Sequence, residues 1–460
     1  MQTGVIIDSG LIDWQIIQQE NGYGKICLKG HYLTSQDKFN VHVWVRVLRE
    51  DNSEPLVFWK CAENDGDNSW GIVIPSIPVG GLYRVETCLK EDECIYFADA
   101  LRGDMIHHIG VGDVYVIAGQ SNSSGFGKDS VMDEPILGVH LLKNSNRWDL
   151  ATHPMNDSTN TKHSVNQETI NSGHSPYLSF AKYLKKELGY PIGLIQTALG
   201  GSPLSKWNPK EDGALYQNMI EIIEEQNGVI TGVLWYQGCT EACEELHENY
   251  YERFREFTNE LRTHLKASVP IFTVQLNRLT ECSSDIKNTA WSSIREDQRR
   301  ASKEIENVFM VPAIDGTMSD LIHNSAAFNI VLGERIAKKA LSKIYNKSYM
   351  ADAPDLKLAI LHKNELTLEF ENVYDILDTF NAEASDLLFR VVDDQGVIQI
   401  KSYKLWKKCI ILELAREVKG KCKVSNAYGQ NPQGIHTIDL GTHYPIVAFW
   451  NEKVVQEETF

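Results

Sequence analysis

Ser121 stands in Gly119-Gln120-Ser121-Asn122-Ser123-Ser124-Gly125, directly after the apolar run 114–118. A hydroxyl at such a strand-to-loop junction can act as a nucleophile if a base lies near, and its own backbone N–H can donate to the oxyanion that attack creates. Helix capping, an ordinary task of serine, is the other reading of the position. Asp320-Leu-Ile-His323 offers the base and its orienting carboxylate, three residues apart. Asp315, on the same stretch, is a rival for the orienting role. Asp-x-x-His occurs again at Asp104 and His107, where a β-patterned region makes a solvated or structural role the expectation. Two more segments carry uncharged donors. Gly200-Gly201-Ser-Pro-Leu-Ser-Lys-Trp207 has glycines that let backbone N–H groups approach a ligand, and Trp235-Tyr236-Gln237-Gly-Cys239-Thr-Glu241 has the Gln237 amide. Each segment alone is more commonly a turn or a packed polar residue. Together they offer a nucleophile, a base with its orienter, and neutral donors.

These groups meet only if the chain brings four distant loops to one edge. From Gly112, short apolar runs at 114–118, 192–197, 229–235, 271–276 and 308–314 alternate with longer helical patterns, which predicts βαβ units around a parallel sheet. Open sheets of this kind place sites at their carboxyl edge, where the loop after the last strand can lie beside the loop after the first. Leu246, Tyr250, Phe254, Phe257, Leu261 and Leu265 fall on one helical stripe and read as core, and a last helix is expected over 328–344. On either side the pattern is β. The valines of 41–47 alternate with other residues and a turn cluster follows at 63–68, while Leu366, Leu368 and Phe370 alternate with Thr367 and Glu369. The expected organisation is a β-sandwich over 1–110, an α/β catalytic domain over 111–348 and a β-rich domain over 349–460, with no internal repeat or low-complexity tract.

The 460 residues carry 45 basic against 62 acidic side chains, a net charge of −17 that repels phosphate backbones and anionic headgroups. Nucleic acid and membrane surfaces are therefore poor partners; an oligomer is left open. Nine cysteines without a Cys-x-x-Cys pair fit a reducing compartment better than a disulfide framework or a zinc cage, and the Cys239/Cys243 pair is not expected to hold a metal. No Lys or Arg precedes Lys25 and no secretory signal is evident as written, so a cytoplasmic location is expected. Gly125-Phe-Gly127-Lys128 fails as a phosphate loop because Asp129 stands where Ser or Thr is required.

The run Gly112-Asp113-Val-Tyr-Val-Ile-Ala-Gly-Gln-Ser121-Asn122 resembles the first block of the sialate O-acetylesterase-like carbohydrate esterases, a branch of the SGNH (GDSL-type) hydrolases. Gly200-Gly201-Ser through Trp207 resembles their second block, Leu234-Trp-Tyr-Gln-Gly238 their third and Asp320-Leu-Ile-His323 their last. Pro78-Val-Gly-Gly-Leu-Tyr83 and Gly441-Thr-His-Tyr-Pro-Ile-Val-Ala-Phe449 extend the likeness less specifically. The resemblance implies a flavodoxin-like three-layer domain that removes acetyl groups from carbohydrate hydroxyls, on an acetylated oligosaccharide or sugar, with no metal or organic cofactor. It implies Ser121 as nucleophile, His323 as general base and then acid, and Asp320 as its orienter. The oxyanion hole would combine the Ser121 N–H, an N–H of Gly200 or Gly201 and the Gln237 side chain. Gln120, Asn122 and Trp207 would lie against substrate. Tyr236 and Trp291 are further aromatics near the loops, as readily core as sugar platforms.

One departure stands out: the third block usually continues Gln-Gly-Glu, and here Cys239 occupies that Glu position. Any support that Glu provides would fall to Asp320, Asp315 or Glu241. The departure also keeps open a noncatalytic glycan-binding protein. An α/β-hydrolase is disfavoured, because Gly119-x-Ser121-x-Ser123 lacks the closing glycine of a nucleophile elbow.

Overall fold

The computed structural model describes residues 4–34, 40–244 and 246–456. Ile192–Gln196, Gly232–Tyr236 and Ile271–Gln275 among its central strands are short runs buried on both faces, the pattern a parallel sheet covered by helices demands. In spatial order the central strands are Trp148–Leu150, Val139–Leu142, Ile192–Gln196, Leu101–Gly119, Gly232–Tyr236, Ile271–Gln275 and Val308–Pro312. All neighbours are parallel except the antiparallel pair at Trp148–Leu150. After Leu101–Gly119 the chain moves to one side of that strand, then returns for Gly232–Tyr236 on its other side. The sheet therefore reverses its winding at Gly119, and such a switch point opens a crevice at the carboxyl ends of the strands.

Four of the expected strands appear within three residues of their predicted bounds. The fifth is far longer: Leu101–Gly119 runs 19 residues, pairing antiparallel with Gly80–Glu91 in its first part and parallel with the central strands in its second. One continuous strand thus joins the N-terminal β region to the central sheet. Val139–Leu142 and Trp148–Leu150 were not anticipated.

Helices α1 (Ser121–Ser124), α2 (Tyr177–Leu188), α3 (Ala214–Glu225), α4 (Cys239–Cys243), α5 (Tyr250–Leu265), α6 (Asp285–Glu304) and α7 (Ala326–Lys343) connect the strands. In α5 the stripe Tyr250, Phe254, Phe257 and Leu261 is buried, and Phe257 stacks on Trp235 with centroids 4.5 Å apart. Leu246 lies outside the helix and is half exposed, because Asn249 takes a left-handed conformation at φ 61° and starts the helix one turn later than the stripe suggests. Helix α7 packs against α2 at Gly333, where a Cβ would lie 2.1 Å from the Pro176 carbonyl oxygen.

In the N-terminal region Val41, Val43, Val45 and Val47 are buried along Val41–Arg49, as alternation predicts. The expected turn at 63–68 begins with a short strand, Glu63–Gly66, and the chain reverses at Asp67 and Asn68, both at positive φ. In the C-terminal region Leu366, Leu368 and Phe370 are buried on Glu365–Glu371, which pairs with Asp355–His362 and Cys409–Leu414. Among the described residues no helix is long and apolar enough to cross a membrane.

His140, on Val139–Leu142, is fully buried. Its Nδ1 lies 2.6 Å from the Trp14 carbonyl oxygen, and its Nε2 accepts from the Gly138 N–H at 3.3 Å. Burial pulls the imidazole down to about 4, with the Trp14 carbonyl opposing. The unfolded chain takes up this proton near 6.5 and the folded chain near 4, so this stability is present above about pH 6.5 and is lost as pH falls toward 4. The loss over that window is about 3 kcal/mol. Thermal midpoints measured from pH 7 to pH 4 should fall less steeply for His140→Gln than for the wild type; parallel curves would contradict the assignment.

Candidate active site

Gly119 ends its strand at φ 116°, with Tyr236 so close that a Cβ would lie 2.4 Å from its carbonyl oxygen. Only glycine fits that turn, and it delivers Ser121 to the first position of α1. Gln120 secures the turn from beneath: its side-chain oxygen accepts from the Gly238 N–H at 2.9 Å and the Thr240 N–H at 3.4 Å. Ser123 Oγ donates to the Ala118 carbonyl at 2.7 Å. Ser121 is 8% exposed, enough for its hydroxyl to face the crevice.

His323 arrives from beyond the edge strand Val308–Pro312, on a loop that must reach back across the sheet. Asp320 folds it locally. Its Oδ1 accepts the backbone N–H groups of Ile322 and His323, at 2.9 and 2.8 Å, and its Oδ2 meets His323 Nδ1 at 2.7 Å. His323 Nε2 then lies 2.9 Å from Ser121 Oγ. Phe126 stacks on the imidazole with centroids 4.8 Å apart. Burial opposes charge on Asp320, but the His323 side chain and the two backbone N–H groups outweigh it and hold the carboxyl below its ordinary range. Asp315 is committed elsewhere, to a two-pronged pair with Arg335 at 2.8 and 2.6 Å. Asp104 and His107 lie in the N-terminal β region, Asp104 accepting from the Ile7 N–H at 3.0 Å.

Asn277 and Asn324, unnoticed in the sequence, join Asn122 in pinning the loop. Asn277 Nδ2 donates to the Ile322 carbonyl and to Asn324 Oδ1, both at 2.8 Å. Asn122, next to the serine, donates to the same Ile322 carbonyl at 3.2 Å and accepts from the Asn324 N–H at 3.0 Å. The available signal was a lone Asn following an apolar strand, at 277, and another following the histidine, at 324.

Several residues expected at the site are turned inward. Gln120 and Asn122 spend their amides on the turn and the histidine loop. Trp207 is fully buried: its indole N–H donates to Ser202 Oγ at 3.1 Å and its ring meets Trp235 edge-on at 5.4 Å, so neither face is open to a sugar. Tyr236 and Trp291 are also fully buried. Gln237 aims its amide nitrogen at Glu241 Oε2 and the Ser202 carbonyl, and the Gly200 N–H donates to Glu168 Oε2 at 2.9 Å. Neither is a free donor in this arrangement. The N–H groups of Ser121 and Gly201 have no acceptor among the described residues.

Cys239 is buried, and burial raises its thiol above the ordinary range. The carboxylate of this segment is Glu241 instead, fully buried, receiving Gln237 and the Leu204 N–H and so tying the 202–204 turn to the third block. Burial raises the Glu241 carboxyl, against the pull of those two donors.

Among the described residues, Asp133, His153 and His174 have the composition of a metal site. Both imidazole Nε2 atoms lie 3.1 Å from Asp133 Oδ2, and Lys182 holds Oδ1 at 2.8 Å. His153 Nδ1 accepts the Ser175 N–H at 3.4 Å, so the proton of that ring sits on Nε2 and points at the carboxylate. That polarity leaves Nε2 no lone pair for an ion and suits a clamp between loops. Burial opposes charge on Asp133, but donation from His153, His174 and Lys182 holds it far below its usual range.

The family model described as carbohydrate esterase, sialic acid-specific acetylesterase matches residues 111–342, just over half the chain. Human sialate O-acetylesterase is 23% identical over 371 residues, covering 66% of this chain and 66% of that protein. The Pongo abelii sialate O-acetylesterase is 23% identical over 369 residues with the same coverage. The match thus spans just under two thirds of these relatives' length. A carbohydrate acetylesterase from Xanthomonas citri shares the fold, with a TM-score of 0.64 at 20% identity over 97% of this chain and 99% of that one.

Asn277→Ala removes two buried hydrogen bonds from the histidine loop and should lower stability by about 2 kcal/mol. It should also broaden the His323 ring signals in NMR spectra; a ring signal as sharp as in the wild type would show that the asparagine does not hold the loop.

Proposed function

This chain belongs to the family of sialic acid-specific acetylesterases among the carbohydrate esterases, and from that premise we propose that it is a serine O-acetylesterase acting on an acetylated oligosaccharide or sugar. In this reading residues 111–348 form a flavodoxin-like three-layer catalytic domain, flanked by β-sandwich-like regions. One observation carries the mechanism: His323 bridges Ser121 Oγ at 2.9 Å and Asp320 Oδ2 at 2.7 Å.

With Nδ1–H donating to Asp320, the Nε2 lone pair of His323 accepts the Ser121 proton as Oγ attacks the acetyl carbonyl. The negative charge that builds on the carbonyl oxygen meets the N–H groups of Ser121 and Gly201. Such a donor is worth ~10²–10³ in rate when fixed before the reaction. The imidazolium, steadied by the Asp320 carboxylate, then protonates the departing sugar hydroxyl. Water enters, His323 takes its proton, and acetate leaves as Ser121 regains its hydrogen. Every proton transfer is between the serine, the imidazole, the sugar and water.

Ser121→Ala and His323→Ala should each lower kcat on a chromogenic acetyl ester by about 10⁴-fold or more, with thermal midpoints near the wild type. Asp320→Ala, whose site is half open to water, should cost on the order of 10²-fold. Turnover by Ser121→Ala at the wild-type rate would end this reading.

A further inference from the structure

A cavity of about 480 Å³ is lined by Asn156, Asp157, Ser158, Glu168, Asn171 and Ser172, among others, on the segment that hydrogen-bonds to the residues flanking the Ser121 turn. We propose that it is the subsite for the sugar ring carrying the acetyl group, and that Asp157 and Glu168 restrict it to uncharged sugars. The inference rests on the esterase reading above and adds its substrate class.

Its walls are fastened to both sides of the nucleophile's turn. On one side Asn156 Nδ2 donates to the Ala198 carbonyl at 3.2 Å, Glu168 accepts the Gly200 N–H at 2.9 Å, and the intervening Leu199 N–H donates to the Gly119 carbonyl at 3.1 Å. On the other side Gly173, next to Ser172, donates to the carbonyl of Gly125, the residue that closes α1, at 2.7 Å. Ser172 Oγ ties the two walls together through the Asn156 carbonyl at 2.6 Å. The lining segment is thus held against Gly200 and Gly125, on either side of the Ser121 turn.

The volume is that of a small-ligand pocket, and the lining chemistry is that of a polyol site. Hydroxyls and amides both give and accept, and carboxylates accept from sugar hydroxyls. With Trp207 buried, recognition here is by hydrogen bonds. The charge is one-sided: among the described lining residues there are two carboxylates and no cation. Glu168 is fixed, one oxygen by the Gly200 N–H and the other by the Thr169 N–H at 3.1 Å. Asp157 is fixed by the Thr159 N–H at 2.9 Å. An anionic sugar would have to bring its carboxylate against these like charges. Lys128 sets one cation at the rim, its ammonium donating to the Asn171 carbonyl, so the carboxylates outnumber the cation two to one.

The test compares kcat/KM for an acetylated xylo-oligosaccharide, which is neutral, with that for 9-O-acetyl-N-acetylneuraminic acid, which is anionic. The wild type should favour the neutral ester at least tenfold. The double variant Asp157→Asn/Glu168→Gln should narrow that ratio about tenfold, through a lower KM for the sialate. A wild-type preference for the sialate, or a ratio unchanged in the double variant, would overturn the proposal; Asp157→Asn alone carries the comparison if the double variant does not fold. Calorimetric titration of Ser121→Ala with both esters separates the cavity from the chemistry. If the wild type hydrolyses neither ester, the esterase reading fails, while tighter binding of the neutral sugar still supports the cavity's assignment and equal or reversed binding overturns it.

Discussion

A hydrogen bond between residues 202 positions apart in the chain, His323 Nε2 to Ser121 Oγ, is the constraint around which the rest is arranged. The serine follows a central strand, whereas the histidine follows a strand three places away, roughly 14 Å at ordinary strand spacing. The loop between Val308–Pro312 and α7 has to cross that distance and hold still. Asn122, in α1, and Asn277, just after Ile271–Gln275, grip it at Ile322 and Asn324, and Asp320 bends it so that the ring faces the serine. The neighbour of Ser121 is thus a clamp on the loop that carries His323, which couples the two halves of the site.

The charged groups are distributed by burial. Asp320, partly open to water and bonded by the imidazole and two N–H groups, remains a carboxylate. Glu241 sits deep, where desolvation favours the neutral acid, and braces the 202–204 turn against Gln237. Near the unusual Cys239, then, the acidic side chain two positions later does the bracing, and the thiol packs inside. Glu168 occupies the Gly200 N–H, leaving the Ser121 and Gly201 N–H groups as the open donors and putting a fixed negative charge beside them.

The parallel strands were legible because strands buried on both faces must be nearly all apolar, as at Ile271–Gln275 and Gly232–Tyr236. Val139–Leu142 escaped notice because four residues with a histidine among them carry little pattern, though His140 is buried by bonding to Trp14 and Gly138. The extension of Leu101–Gly119 was hidden by its polar, half-exposed first half. Ser121, His323 and Asp320, which the fold brings within hydrogen-bond reach, could be picked out by residue type and order, whereas the role of Asn277 exists only once the histidine loop lies across it. Trp207 and Gln237 misled for the opposite reason: residues bordering a site supply its walls as often as its contacts, and only the folded chain shows which way each side chain turns.

The central claim is that Ser121 is made nucleophilic by His323. Mass spectrometry of peptides after treatment with a fluorophosphonate tests it most directly. One phosphonyl group on the peptide carrying Ser121, with labelling abolished in His323→Ala, is the predicted result. Labelling at another residue, or full labelling of Ser121 with ester hydrolysis unimpaired, would contradict it.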